Sequence, residues 1–257
     1  MAPVVSLSGR VALITGAGRG IGRAVARLFG QAGAALALAA RTRSELDAVA
    51  GELALSGAPK ALVQEIDLAD PASIARGLEA LGGALPRLDI LVNNAGIAES
   101  APLARTSPEL WARHLAVNAT APFLLTRALL PGMVQRGWGR VDNVASIAGL
   151  EGAPYIAAYA ASKHALVGLT RALAAETAGS GVTVNAICPG FAATDIAWAS
   201  ARRIALKTGR SYDDAVAALA GLNASGALVE PGAIAMAVLD LCADAAAGRT
   251  GEAVVLS

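Results

Sequence analysis

Residues 10–29, RVALITGAGRGIGRAVARLF, decide how the chain is expected to fold. The first six residues form a short apolar run that predicts a buried strand. Gly16, Gly20 and Gly22 follow, and then comes a segment with apolar residues at helical spacing. Glycines between a strand and a helix let the backbone approach a pyrophosphate, whose charge is favourable at a helix N-terminus. The stretch therefore predicts a nucleotide-binding turn, with a tight turn that binds no ligand as the alternative.

The same alternation of apolar runs and amphipathic segments continues along the whole chain. Strands are predicted at residues 10–15, 35–40, 61–66, 88–92, 141–145, 182–187 and 253–256. Strands that alternate with helices predict a parallel sheet covered on both faces. We expect one α/β domain over residues 1–257, with two weak amphipathic helices forming a substrate lid at about 191–226.

Composition excludes several classes of function. The formal net charge is +1 and no block of like charge occurs, so neither a nucleic-acid groove nor a membrane-surface site is indicated. Cys188 and Cys242 are far apart in the sequence, which argues against a disulfide framework or a zinc site and fits a reduced, cytoplasmic setting. No stretch predicts a membrane span. His114 and His164 lack ligand-like partners, and we expect both to be structural, with no metal bound.

The end of the second predicted strand indicates which dinucleotide is bound. NAD-binding sites often carry an acidic residue there, which binds the ribose 2′-hydroxyl. Here Ala40 is followed by Arg41, Thr42 and Arg43. An arginine fits a 2′-phosphate, and Arg19 in the glycine turn could reach the same group. NADP(H) is therefore predicted over NAD(H), unless Arg41 and Arg43 merely begin the next helix in solvent.

Further candidate residues fall at the predicted carboxyl ends of other strands, where ligands bind in such sheets. Asp67 could accept a hydrogen bond from the adenine amino group, and the small residues after Asn93 allow close approach to a ribose. The predicted cofactor residues are Gly16, Arg19, Gly20, Ile21, Gly22, Arg41, Thr42, Asp67, Leu68, Asn94, Ala95, Gly96, Tyr159, Lys163, Pro189, Gly190 and Thr194.

Tyr159 and Lys163 are the candidate proton-transfer pair. Residues four apart on a helix share a face. A nearby ammonium favours the phenolate, so Lys163 is expected to lower the pKa of Tyr159 from about 10. Ser146 follows an apolar run and could offer its hydroxyl to the same substrate oxygen. By itself the pair could equally be a half-buried tyrosine beside a solvated lysine.

Together these motifs resemble the short-chain dehydrogenase/reductase family, in its single-domain branch. The matches are Thr15-Gly16-x-x-x-Gly20-Ile21-Gly22, Asn93-Asn94-Ala95-Gly96, Asn118, Ser146, Tyr159-x-x-x-Lys163 and Pro189-Gly190-x-x-x-Thr194. They occur in the family's order and spacing over nearly the whole chain. The resemblance implies a Rossmann-type, doubly wound parallel sheet of seven strands. It also implies a homotetramer, or a homodimer, packed through helices at 118–135 and 159–177.

The resemblance further implies hydride transfer between a nicotinamide and a ketone or secondary alcohol. Tyr159 would be the general acid in reduction, and Lys163 would hold the ribose hydroxyls. Ser146 would polarise the carbonyl, and Asn118 would anchor a water that relays protons. Thr194 and the Pro189-Gly190 backbone would hold the carboxamide.

The substrate side is less determined. Substrate residues are predicted to be Ser146, Ile147, Tyr155, Tyr159, Phe191 and Trp198. Basic residues at 202, 203, 207 and 210 could attract the phosphates of a coenzyme A or carrier-protein thioester, or simply form a solvated helix face. General similarity to 3-oxoacyl-thioester reductases favours NADPH-dependent reduction of such a thioester or a similar ketone. Oxidation of a 3-hydroxyacyl-CoA, aryl alcohol or sugar alcohol is the alternative, and a non-catalytic NADP sensor or scaffold is disfavoured because Tyr159 and Lys163 are intact.

One residue departs from the family pattern. Asp142 lies in the fifth predicted strand, where the family usually has an apolar residue. A buried carboxylate is destabilising unless it is paired or protonated. We expect Asp142 to be a tolerated local substitution that lowers stability, and not a catalytic group.

Overall fold

The predicted order of strands and helices is confirmed in a computed structural model that describes residues 5–85 and 87–257. The strands are β1 (Val11–Thr15), β2 (Ala35–Ala40), β3 (Leu62–Glu65), β4 (Ile90–Asn93), β5 (Gly139–Val144), β6 (Val182–Pro189) and β7 (Ala253–Leu256). They form one sheet in the order β3-β2-β1-β4-β5-β6-β7, and all pairs are parallel. Predicted and observed ends agree to within two residues.

Helices cover both faces of the sheet, as the apolar strands require. They are α1 (Gly20–Gln31), α2 (Arg43–Leu55), α3 (Pro71–Ala84), α4 (Pro108–Leu115), α5 (Ala121–Gln135), α6 (Ala157–Glu176), α7 (Asp195–Thr208), α8 (Tyr212–Ala220) and α9 (Pro231–Cys242). One face packs against α1, α2 and α9, and the other against α3, α5 and α6. In the described part of the chain, no helix combines the length and apolar character that crossing a bilayer would need.

The strand order reverses between β1 and β4, and this places a crevice at their carboxyl ends. From β1 the chain moves outward through β2 to β3, and it then returns to β4 on the other side of β1. Ligands of open α/β sheets bind at such a switch point. The glycine turn follows β1 and residues 94–96 follow β4, so the fold brings these two motifs to the same place.

The two helices predicted after β6 are present as α7 and α8, which pack against each other beyond the carboxyl end of β6. The base of this insertion is tied by Asn223, a residue that the sequence did not mark. Its Oδ1 accepts from the Phe191 N–H at 2.8 Å, and its Nδ2 donates to the Phe191 carbonyl at 2.9 Å. Asn223 therefore holds the start and the end of the insertion together.

Asp142 is fully buried in β5 and has a weak partner. Its Oδ2 accepts from the Cys242 thiol of α9 at 3.2 Å. Arg140, two residues earlier on the same strand face, is also buried, but it donates to the Gly139 and Gly181 carbonyls and stacks over Trp138. Burial raises the pKa of Asp142 to about 7, against the opposing effects of the Cys242 thiol and the Arg140 charge.

We predict that replacing Asp142 with asparagine stabilises the protein at alkaline pH. Because the folded-state pKa is raised, the folded protein binds more protons than the unfolded chain between roughly pH 4 and pH 7, and stability falls as pH rises through that window. The difference in melting temperature between Asp142→Asn and the wild type should therefore grow by about 5 °C between pH 5 and pH 8. Asp142→Val should also raise the melting temperature.

The measurement is thermal unfolding at both pH values, with Asp240→Asn as the control because Asp240 is an exposed carboxylate on α9. A lower melting temperature for Asp142→Asn at pH 8 would show that the ionised carboxylate balances the buried Arg140.

Candidate active site

The glycine turn lies between β1 and α1 and has the backbone that its sequence predicts. Gly16 and Gly20 adopt positive φ values of 63° and 53°, which side-chain-bearing residues rarely adopt. Gly22 serves the close packing of the turn against α1 in this structure. It does not line the cleft, and a Cβ there would overlap the Gly16 carbonyl, so this glycine allows α1 to begin directly against the turn.

Thr15 and Asn94 fasten the turn to the end of β4. The Thr15 hydroxyl oxygen accepts from the N–H groups of Asn94 and Ala95 at 3.0 and 3.1 Å. The Asn94 side chain donates to the Thr15 and Gly16 carbonyls at 2.8 and 3.2 Å. The two loops of the switch point therefore form one hydrogen-bonded unit.

A cleft of about 1040 Å³ opens along this edge of the sheet. It is lined by Gly16, Arg19, Gly20, Ile21, Arg41, Thr42, Asp67, Leu68, Asn94, Ala95, Gly96, Ser146, Ile147, Tyr155, Tyr159, Lys163, Pro189, Gly190, Phe191 and Thr194. Residues that the sequence did not single out also line it, notably Gly18, Glu45 and the loop over 97–102. The structure thus brings most of the predicted site residues together around one cleft.

Trp198 is an exception, because it does not line the cleft. The lining residues of α7 include Ile196, Ser200 and Arg203, which follow each other at intervals of four and three. Such residues share one face of a helix, and a residue two positions from Ile196 points away from it. Trp198 therefore lies off the cleft face of α7, and its contact with substrate stays a prediction.

Ser146, Tyr159 and Lys163 meet at the inner part of the cleft. Ser146 follows β5, and its Oγ accepts from the Ala148 N–H at 3.1 Å. Lys163 is buried, and its Nζ donates to the Val144 carbonyl at 2.8 Å. The same Nζ lies 5.9 Å from the centroid of the Tyr159 ring.

Burial dominates the electrostatics of this group. Desolvation raises the pKa of Tyr159, while a hydrogen bond with Ser146 works in the opposite direction. Desolvation also lowers the pKa of Lys163 to about 8. The expectation that Lys163 lowers the pKa of Tyr159 is therefore not met in this structure, where the ammonium faces the Val144 carbonyl. At neutral pH the arrangement holds a protonated phenol beside a protonated amine.

Asn118 lies one layer behind the cleft and is completely buried, so it is not a surface asparagine. It sits in a π-helical turn (Ala116–Thr120) between α4 and α5, a kind of distortion that is frequent at functional sites. Its amide accepts from the Ile97 N–H and donates to the Ile97 carbonyl, both at 2.9 Å. It also donates to Ser162 at 2.9 Å, and Ser162 donates to the Tyr159 carbonyl at 2.7 Å.

The cleft fits a nicotinamide dinucleotide. Within the described residues, no side chain caps the N-terminus of α1, so its first N–H groups are available to a pyrophosphate. The glycine turn would hold the pyrophosphate, Asp67 and Asn94 would lie beside the adenosine, and Lys163 would lie beside the nicotinamide ribose. A bound dinucleotide would supply or accept the hydride, and the protein groups would position the substrate and move the proton.

Comparison with known proteins agrees with this geometry. Residues 10–204 match the family model described as short chain dehydrogenase. The chain belongs to this family. It is an NAD(P)-dependent oxidoreductase that acts on an alcohol or carbonyl group.

Named relatives cover most of the chain. The 3-oxoacyl-[acyl-carrier-protein] reductase FabG of Vibrio cholerae is 38% identical over 248 residues, which cover 96% of each chain. The D-beta-hydroxybutyrate dehydrogenase of Rhizobium meliloti is 39% identical over 188 residues, 73% of each chain. A crystal structure of an actinorhodin polyketide ketoreductase variant with NADPH superposes with a TM-score of 0.91 at 34% identity, covering 96% of this chain and 95% of that one.

We predict that ketone reduction declines above about pH 8. The lowered pKa of Lys163 means that its ammonium is present below that pH and is lost above it. Tyr159→Phe should lower kcat for reduction at least about 100-fold, because the positioned acid is removed. Steady-state rates from pH 6 to pH 10 test the first point.

Tyr212→Phe is the matched control, since it removes a tyrosine hydroxyl that lies outside the cleft and should change kcat less than about twofold. A rate that stays level through pH 9.5 would show that the Lys163 ammonium is not required.

Proposed function

We propose that this enzyme uses NADPH to reduce the ketone of a 3-oxoacyl thioester or a similar substrate. The observation that carries the proposal is the meeting of Ser146, Tyr159 and Lys163 in a cleft that fits a dinucleotide. In this assignment Ser146 donates a hydrogen bond to the substrate carbonyl and polarises it. Tyr159 gives its proton to the same oxygen as the carbonyl carbon is reduced.

The residues behind the cleft support this chemistry. Lys163 holds the nicotinamide ribose and provides the charge that favours proton loss from Tyr159 when substrate is bound. Asn118, in its π-helical turn, anchors the water that returns a proton through Lys163. Thr194 and the backbone at Pro189 and Gly190 hold the carboxamide of the nicotinamide.

Arg41 supports the preference for NADP(H). It is exposed at the end of β2 and lines the cleft, and among the described residues it has no carboxylate partner. Arg43, by contrast, pairs with Asp47 one turn along α2, which matches the solvated role considered for it. Arg19 forms an ion pair with Asp195 at the start of α7. Glu45 lines the same region and would favour a ribose hydroxyl over a phosphate, which keeps NAD(H) as the second possibility.

We predict that the wild type has a higher kcat/KM with NADPH than with NADH, and that Arg41→Ser removes the difference. Loss of a charge-assisted contact to the 2′-phosphate should lower kcat/KM for NADPH about tenfold or more, with little change for NADH. A paired assay with both cofactors measures this.

Arg43→Ser is the control, because it changes the neighbouring arginine that already pairs with Asp47. A wild type that prefers NADH by tenfold would contradict the assignment of Arg41.

Two cations on the lid support a thioester substrate. Arg203 and Lys207 are one helical turn apart on α7, and both line the cleft. The Nη1 of Arg203 is 3.4 Å from the Ser100 hydroxyl, and in the described part of the chain neither cation pairs with a carboxylate. From a rise of 1.5 Å per residue, they lie roughly 13 and 19 Å along the helix from Thr194. We propose that they bind the phosphate of a pantetheine arm, which extends well beyond the reacting ketone.

The lining of the cleft is mainly apolar, which suits an acyl chain. It includes Ile97, Tyr155, Phe191 and Ile196. A second candidate function is oxidation of a secondary alcohol, and the similarity to a D-beta-hydroxybutyrate dehydrogenase favours it. That substrate class carries its charge close to the reacting carbon, so the lid cations discriminate between the two candidates.

We predict that Arg203→Gln with Lys207→Gln raises KM for acetoacetyl-CoA about tenfold and leaves KM for ethyl acetoacetate unchanged. Rim charges attract an anionic substrate through a screened interaction, so the wild-type KM for acetoacetyl-CoA should also rise with salt. Arg202→Gln is the control, since that neighbouring arginine does not line the cleft.

Equal changes in KM for acetoacetyl-CoA and ethyl acetoacetate would show that the lid cations do not bind the charged part of the substrate. Faster oxidation of 3-hydroxybutyrate than reduction of acetoacetyl-CoA would favour the second candidate.

We further propose that the whole chain acts as one catalytic domain in the cytoplasm, with α7 and α8 as its substrate lid. Assembly into a homotetramer, or a homodimer, through the outer surfaces of α5 and α6 belongs to the same proposal. Phe123 and Val134 are exposed on α5, where a partner subunit would cover them.

A further inference from the structure

We propose that His114 is a positioning residue of the active site, which fixes the loop over residues 97–102 and supports Tyr159. This inference rests on the proposed catalytic role of Tyr159. His114 lies in the last turn of α4 and is completely buried. From sequence it was expected to be structural, because no ligand-like residue is near it in the chain.

The hydrogen bonds of His114 fix its state. Its Nδ1 lies 2.8 Å from the Leu110 carbonyl, and its Nε2 lies 3.1 Å from the Glu99 backbone nitrogen. A carbonyl can only accept, and a backbone N–H can only donate. Nδ1 therefore carries the hydrogen, and Nε2 is the bare acceptor that holds Glu99. The ring is neutral and confined to one tautomer.

The same ring packs against the catalytic tyrosine. The centroids of the His114 and Tyr159 rings are 6.3 Å apart, and their planes meet at 76°. This is an edge-to-face contact within the distance range that is favourable for aromatic pairs. It comes from α4, whereas Tyr159 lies on α6, so the contact restrains the tyrosine ring from a separate element.

The loop over 97–102 is attached at every second residue. Asn118 binds Ile97, His114 binds Glu99, and the Tyr155 carbonyl accepts from the Ala101 N–H at 2.8 Å. All residues of this loop line the cleft. The middle attachment is made by the residue that also touches Tyr159. His114 therefore sets the distance between the loop wall of the substrate cleft and the proton donor.

Three substitutions separate the two contacts. His114→Phe keeps an aromatic ring beside Tyr159 but removes the acceptor for Glu99. His114→Gln can place an amide oxygen where Nε2 lies but removes the ring. His114→Leu removes both. All three keep a side chain of similar size in a buried site, and His114→Gln is the most conservative polar replacement.

The test combines steady-state kinetics with amide hydrogen exchange. His114→Phe should raise KM for the ketone about fivefold with little change in kcat, and should speed exchange in the peptide that covers 97–102. His114→Gln should lower kcat about three- to fivefold with little change in KM, and should leave that exchange near the wild-type rate. His114→Leu should show both changes.

Two results would overturn the proposal. One is unchanged exchange over 97–102 in His114→Phe, which needs no activity to measure. The other is a lower kcat together with a higher KM in both the Phe and the Gln variant, in proportion to the fall in their melting temperatures. A purely structural role predicts that pattern. If the wild type reduces no ketone, the proposed function fails, while the exchange result still decides whether His114 holds the loop.

Discussion

The hydrogen bonds between Thr15 and Asn94 join the two loops on which the rest of the site depends. One loop turns from β1 into α1, and the other follows β4, on the far side of the point where strand order reverses. Both are short and rich in small residues, so neither would keep its shape alone. Because the Thr15 hydroxyl accepts two N–H groups and the Asn94 amide binds two carbonyls, four backbone groups where the loops meet have partners within the protein. The open side of the turn is thereby left free for a ligand.

A second hydrogen-bond network connects β4, next to the glycine turn, with α6. Asn93 donates to Asn143 at 2.8 Å, and Asn143 donates to Thr170 at 2.8 Å. These buried contacts link β4, β5 and α6, and α6 bears Tyr159 and Lys163. Hydrogen bonds in the low-dielectric core are strong and help to fix the geometry of the groups that they join. The cofactor side and the proton-transfer side are thus placed relative to each other by side-chain amides.

The fold could be predicted from sequence because apolar runs, glycine turns and helical spacing are local signals. The site residues at strand ends followed from the topology that those signals imply. What the sequence could not predict depended on three-dimensional detail. The sequence around Gly22 is the same whether this glycine faces a ligand or allows a helix to pack closely against the turn. Whether Trp198 faces the cleft depends on the rotation of α7 about its own axis. The direction of the pKa shift of Tyr159 depends on how far its side chain is desolvated. The contact between Tyr159 and His114 depends on how closely α4 approaches α6.

Two of the buried ionisable groups, Lys163 and Asp142, illustrate why burial alone does not identify function. Lys163 keeps a backbone carbonyl as partner and a pKa of about 8, so its positive charge persists at neutral pH in the cleft. Asp142 has only a thiol as its side-chain partner and a pKa of about 7, so this carboxyl group changes its charge near neutral pH inside the core. Burial shifts both groups toward their neutral forms. Lys163 lines the cleft, where a bound ligand can meet its ammonium, whereas Asp142 faces α9 inside the core.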